Sequence, residues 1–287
     1  MIRLFVFLSI LWAGLLSAPP ANAETPEVLV TIAPIHSIVA TVMVGVGNPG
    51  LLMKGGASPH GMALKPSDAR KLEHAALIIA VGPALEGAMA RTLDRFDQTR
   101  VLTLMEAPRV RLLDGDPHIW LSPANAGAIA EVVAQRLAQI DPGHAPIYRA
   151  NAEALKGTLT QLQNRLSEML TPVKDKPFVV FHDAYRYFEQ AFGLKKAGRV
   201  YAMAERGPGA AHIRALVRLM AEKNIACLFT EPQFAPKLAL VVATETGART
   251  GVLDPLGTDM KPGPDLYARL MEQNAENLIA CLEPPRR

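Results

Sequence analysis

Seven histidines stand at positions 36, 60, 74, 118, 144, 182 and 212. Three of them share a local logic. His60 closes the loop Gly55-Gly56-Ala57-Ser58-Pro59-His60, which follows the apolar Leu51-Leu52-Met53. His118 lies in Asp116-Pro117-His118-Ile119-Trp120, and His182 directly follows the apolar run 178–181, leading into Asp183-Ala184-Tyr185. A carboxylate, Asp254, holds the same kind of place after residues 251–253. Three neutral imidazoles and one oxygen make a tetrahedral donor set suited to Zn²⁺. The spacing 60, 118, 182 and 254 contains no local zinc motif such as HExxH, so the fold itself must bring these groups together.

The elements that could do so alternate along the chain. Short apolar, β-branched runs at 28–33, 77–81, 178–181, 225–229 and 251–253 read as strands. They lack the alternation of a half-wet sheet, as expected of parallel strands covered on both faces. Amphipathic stretches lie between them, one of them beginning at Asp68 with Ser67 as its cap. The rhythm predicts an open α/β sheet, in which ligands bind outside the carboxyl ends of the strands. One segment differs. From Pro146 to Thr171 the pattern is helical, with Leu155, Leu159, Leu162, Leu166 and Leu170 on one face. Pro146 suits a first-turn position and Pro172 cannot continue the helix. Such a helix spans roughly 39 Å and sits midway through the chain. The expected architecture is two Rossmann-like α/β lobes with parallel sheets, residues 24–144 and 173–287, joined by a long helix over 145–172, with the site in the cleft between them.

The chain has 287 residues, of which 49% are hydrophobic and 20% charged, enough apolar material for a buried core. The 30 basic and 27 acidic residues are interspersed, which gives no electrostatic footprint for nucleic acid. The N-terminus reads as an export signal: Arg3, an apolar stretch over 4–16, then Ala21-Asn22-Ala23 as a small-x-small site cleaved after Ala23. The apolar stretch is shorter than the ~20 residues of a spanning helix. The two cysteines, Cys227 and Cys281, form no CxxC pair, which argues against a cysteine zinc ribbon or a thioredoxin-type site. In an oxidising compartment they make either one disulfide or two buried thiols.

Several of these segments together resemble one family. They are Gly-Ala-Ser-Pro-His with Lys65-Pro66-Ser67-Asp68, Asp-Pro-His-Ile-Trp-Leu-Ser-Pro, Phe-His-Asp-Ala-Tyr, Thr230-Glu231-Pro232-Gln233-Phe234 and Leu253-Asp254-Pro255-Leu256-Gly257. In order along nearly the whole chain, they resemble the ZnuA-type periplasmic zinc-binding proteins that feed ABC importers. The resemblance implies two lobes on a backbone helix, a periplasmic monomer, and transfer of zinc to a membrane permease. It implies His60, His118 and His182 as ligands, Asp254 ahead of a water molecule as the fourth, and a disulfide between Cys227 and Cys281. Two departures are visible. Residues 107–116 carry two arginines and no histidine where many members have a histidine-rich loop, and Pro59 stands where some have glutamate.

Other residues read more plainly. Glu231 follows a strand and can orient a ligand histidine through its second ring nitrogen. His36 follows the first strand and can support the site, while Trp120 packs beneath it. Against a zinc-capturing protein stand two alternatives: a manganese or iron binder of the same kind, and an exported zinc hydrolase with Asp254 or Glu231 as general base. The chain contains no GxSxG or HExxH to support the latter.

Overall fold

The computed structural model describes residues 25–201 and 207–283. The predicted export signal lies outside them. The first part of the chain forms β1 (Val28–Val30), α1 (Ala33–Val42), β2 (Gly50–Leu51), α2 (Pro66–His74), β3 (Leu77–Ala80), α3 (Gly87–Leu93), β4 (Val101–Thr103) and α4 (Pro123–Ile140). The long helix α5 (Ala145–Leu170) follows. Then come β5 (Phe178–His182), α6 (Arg186–Phe192), β6 (Lys196–Tyr201), α7 (Ala210–Glu222), β7 (Cys227–Thr230), α8 (Lys237–Thr246), β8 (Arg249–Val252) and α9 (Leu266–Leu282).

The strands make two four-stranded, fully parallel sheets, ordered β2-β1-β3-β4 and β6-β5-β7-β8. Counted within each lobe, both sheets have the same order, with the first strand and the third at the centre. This is the expected two-lobed α/β architecture, and each central strand is nearly dry because helices cover both faces. β1, β3 and β5 are buried along their whole length.

The long helix runs 26 residues and buries Leu159, Leu162, Leu166 and Leu170, while Leu155 packs at the margin. Its first turn contains Pro146, whose missing N–H costs nothing there. The largest apolar cluster runs without a break from Val30 and Ile38 through Leu162 and Leu166 to Phe178 and Leu278. The two lobes therefore share a core rather than meeting across a wet hinge. Trp120 reinforces this, donating its indole N–H to the Pro255 carbonyl of the other lobe at 2.7 Å.

Cys227 and Cys281 are joined by a disulfide that ties β7 to α9, with Cα atoms 6.0 Å apart. At α2 the outcome differs from expectation. The helix starts at Pro66, and the Asp68 carboxylate accepts the Lys65 N–H at 3.2 Å. Lys65 is thus the cap residue and Ser67 lies inside the first turn, because Pro at the first helical position moves the start upstream.

Candidate metal centre

His60, His118 and His182 converge between the lobes. Each offers a ring nitrogen, and these nitrogens lie within 4.8 Å of one another. The Nε2 atoms of His60 and His118 are 3.3 Å apart, as are those of His182 and His118. Tetrahedral donors each about 2.05 Å from a zinc ion sit about 3.3 Å from one another. His118 thus stands at the separation of neighbouring zinc ligands from both His60 and His182.

Different elements deliver the three rings. His182 is the last residue of the central strand β5. His118 precedes the 3₁₀ turn Ile119–Leu121, whose three residues are buried. His60 sits in the 3₁₀ turn Pro59–Gly61, on the loop between β2 and α2, and is only half-buried. His118 and His182 are 4% and 5% exposed.

Two buried carboxylates fix the inner pair. Asp116 Oδ1 lies 2.8 Å from His118 Nδ1, and Glu231 Oε1 lies 2.7 Å from His182 Nδ1. A proton held on Nδ1 by the carboxylate leaves the Nε2 lone pair bare and aimed at the shared centre. Glu231 was readable as such a partner. Asp116 was not singled out for this role, although a carboxylate two residues before the histidine, across Pro117, was the available signal. Its Oδ1 also accepts the His118 backbone N–H at 3.0 Å, closing a tight local loop.

Burial disfavours protonation of His60 and of His118. His60 is pushed down to about 3, first by desolvation and then by the neighbouring His118 and His182. His118 is lowered chiefly by burial, with the Asp116 carboxylate pulling the other way. A neutral imidazole is the ligating form, so the environment keeps donors ready.

Asp254, expected to complete the set, is not among the groups that converge. Its Oδ1 accepts from Gln233 Nε2 at 2.6 Å and from the Leu256 N–H at 2.9 Å, and its Oδ2 accepts the Thr258 N–H at 2.6 Å. The carboxylate is spent on organising its own loop, as Asp commonly does by bonding backbone N–H groups just ahead of it. His36 likewise turns elsewhere: it is buried, and its Nε2 meets the Pro49 carbonyl at 3.0 Å. Trp120 packs against the site as expected, its ring centroid 5.4 Å from that of His118. Phe234 closes the far side, 5.6 Å from His182. The pocket enclosed by these rings with Pro255 and Leu256 has about 10 Å³ of free space, about what one water needs.

The sequence comparison supplies the family. The profile of the family described as ZnuA, zinc-uptake complex component A, periplasmic, matches residues 28–281. The chain belongs to this family. A high-affinity zinc uptake system protein ZnuA from Brucella abortus (strain 2308) is 38% identical, covering 90% of this chain and 92% of the relative. The protein of the same name from Yersinia pestis is 32% identical, covering 96% and 97%. Among solved structures, a ZnuA crystal structure superposes with a TM-score of 0.80 at 24% identity, covering 91% of this chain and all of that one, a likeness of fold. The laminin-binding protein of Streptococcus agalactiae, described as a bifunctional adhesin and metal transporter, gives 0.78 at 26% identity, covering 90% and 100%.

Proposed function

We propose that this protein is an exported, periplasmic solute-binding protein that captures one Zn²⁺ on His60, His118 and His182 and passes it to an ABC-type permease. The observation that carries the reading is the convergence of three imidazole nitrogens, with His118 Nε2 3.3 Å from both His60 Nε2 and His182 Nε2, and with His118 and His182 oriented by buried carboxylates. Maturation by cleavage after Ala23 belongs to the same proposal.

The fourth position falls to a solvent water. Asp254 is committed to Gln233, Leu256 and Thr258, and the remaining space suits a single small molecule. A three-histidine site with a bound water is also the donor set of zinc hydrolases. Room favours capture over hydrolysis. A pocket of about 10 Å³ walled by Trp120, Phe234, Pro255 and Leu256 has the size of one small species. Pockets that hold an organic substrate run to several hundred Å³.

All-imidazole donation also selects the metal, since nitrogen ligands favour zinc over manganese, which prefers carboxylate and carbonyl oxygens. The test is competition of Zn²⁺ and Mn²⁺ for the chelator-stripped mature chain. Zinc is expected to displace manganese completely at equal concentrations, and retention of manganese would overturn the choice of cargo.

A further inference from the structure

The C-terminal loop that follows β8 meets the N-terminal loop that carries His60. A Cβ placed on Gly56 would lie 2.8 Å from Thr258 Cγ2, a separation real Cβ contacts do not show. The Gly56 backbone therefore packs closely against the Thr258 methyl, on the loop that leads to His60. Gly55 beside it has φ +89°, a left-handed conformation that glycine alone takes without strain. Residues 54–57 of this loop are exposed, and His60, the least buried of the three histidines, stands at its end.

Thr258 is held from below. Its N–H donates to Asp254 Oδ2 at 2.6 Å, and its Oγ1 accepts from Gln233 Nε2 at 2.7 Å, the same amide that reaches Asp254 Oδ1. Asp254 is in turn fixed to α9. Its N–H donates to Asn274 Oδ1 at 2.8 Å, and its carbonyl accepts from Asn274 Nδ2 at 2.7 Å. Asn274 is buried. The acid that occupies a ligand-like position in the sequence thus anchors a structural catch.

We infer that Thr258, braced by Asp254 and Gln233, is the catch on which the Gly55-Gly56 loop closes, so that these three residues set how long zinc stays without donating to it. The inference rests on the proposed zinc capture. Release then requires the His60 loop to lift from Thr258, while the half-site of His118 and His182 stays in place. Asp254, Gln233 and Thr258 are positioning residues acting through the loop and His60. Lid motions of this kind govern exchange rates in many binding sites.

The test is the rate of zinc loss from the loaded mature protein into excess chelator. Gly56→Ala puts a methyl where Thr258 Cγ2 stands and should speed release roughly tenfold, the effect of a modest overpacking penalty. Thr258→Ser removes that methyl and keeps the hydroxyl, so the double variant Gly56→Ala/Thr258→Ser should return to within about threefold of the parent. Asp254→Asn should also speed release. The visible spectrum of its Co²⁺-substituted form should match the parent's, because no ligand has changed. Release from Gly56→Ala at the parent rate, failure of the double variant to recover, or an altered Co²⁺ spectrum in Asp254→Asn would each overturn the catch. Failure of the parent itself to hold zinc would instead strike the function proposed above.

Discussion

The two lobes share one strand order and yet present the site's histidines in opposite ways. In the C-terminal lobe, His182 is the last residue of β5, a central strand paired on both sides. In the N-terminal lobe, His60 stands on an exposed loop beyond β2, a two-residue strand at the sheet edge. A central strand cannot shift without breaking two ladders, whereas a loop beyond an edge moves at small cost. His118, buried and fixed by Asp116, sides with His182. Two of the three histidines are therefore held on buried, carboxylate-braced positions, and the third stands on a loop. A binding protein must both hold and surrender its ion, and this division gives each requirement its own region.

The sharpest way to break the comparison is to remove one ligand from each side. His182→Ala should weaken zinc binding on the order of a thousandfold, as loss of one of four donors implies. His60→Ala should cost less, because His118 and His182 remain oriented by their carboxylates. Equal losses, measured by chelator competition, would show that the two sides are not distinct.

The rigidity of the C-terminal lobe can be tested through its crosslink. Replacing Cys227 and Cys281 by serine opens a loop of 54 residues. It should lower unfolding free energy by roughly 4 kcal/mol in the chain-entropy model. Denaturant melting reads this. Zinc affinity of the folded variant should stay within about threefold, since the disulfide and the site are separate features of the lobe.

A smaller effect is expected from the orienting carboxylates. Glu231→Gln keeps the shape but loses the charge that fixes the His182 tautomer, and should weaken zinc binding roughly 10–100-fold. Asp116→Asn should do the same through His118. No change in either variant would reduce these contacts to packing.

A last test is the pH dependence of the metal-free protein. His60 falls from 6.5 when unfolded to about 3 when folded. Between those values the unfolded chain binds a proton that the folded chain refuses. His60 therefore subtracts nothing from stability above pH 6.5 and subtracts progressively more as pH falls towards 3. Thermal melts of His60→Gln should lose stability less steeply than the parent over that window, and parallel slopes would contradict the assignment.

Much of this was legible in the sequence, for a physical reason. The central strands β1, β3, β5 and β7 announced themselves as continuous apolar runs because both of their faces are covered. The edges β2, β4 and β6 did not. β2 has two residues, β4 is only half-buried, and β6 reads Lys-Ala-Gly-Arg-Val-Tyr. Edges are kept short or charged to discourage further pairing, which removes the pattern that would reveal them. The long helix was readable to within a residue at each end from its leucines and flanking prolines.

At the site, the expected strand-end placement holds for His182, with Glu231 as its neighbour, whereas His60 and His118 stand on turns well beyond β2 and β4. Asp254 shows where such reasoning stops. Its strand-end position is that of a ligand, but whether a carboxylate turns to the metal or to its own loop depends on Gln233 and Thr258. That competition is settled by three-dimensional hydrogen bonding that spacing does not encode.

The most direct test of the central claim is calorimetric titration of Zn²⁺ into the mature, chelator-stripped protein and its His118→Ala variant. The parent should bind one zinc tightly, and the variant, having lost the ring that touches both neighbours, should show no tight site. Tight binding that survives without His118 would place the zinc elsewhere and contradict the account.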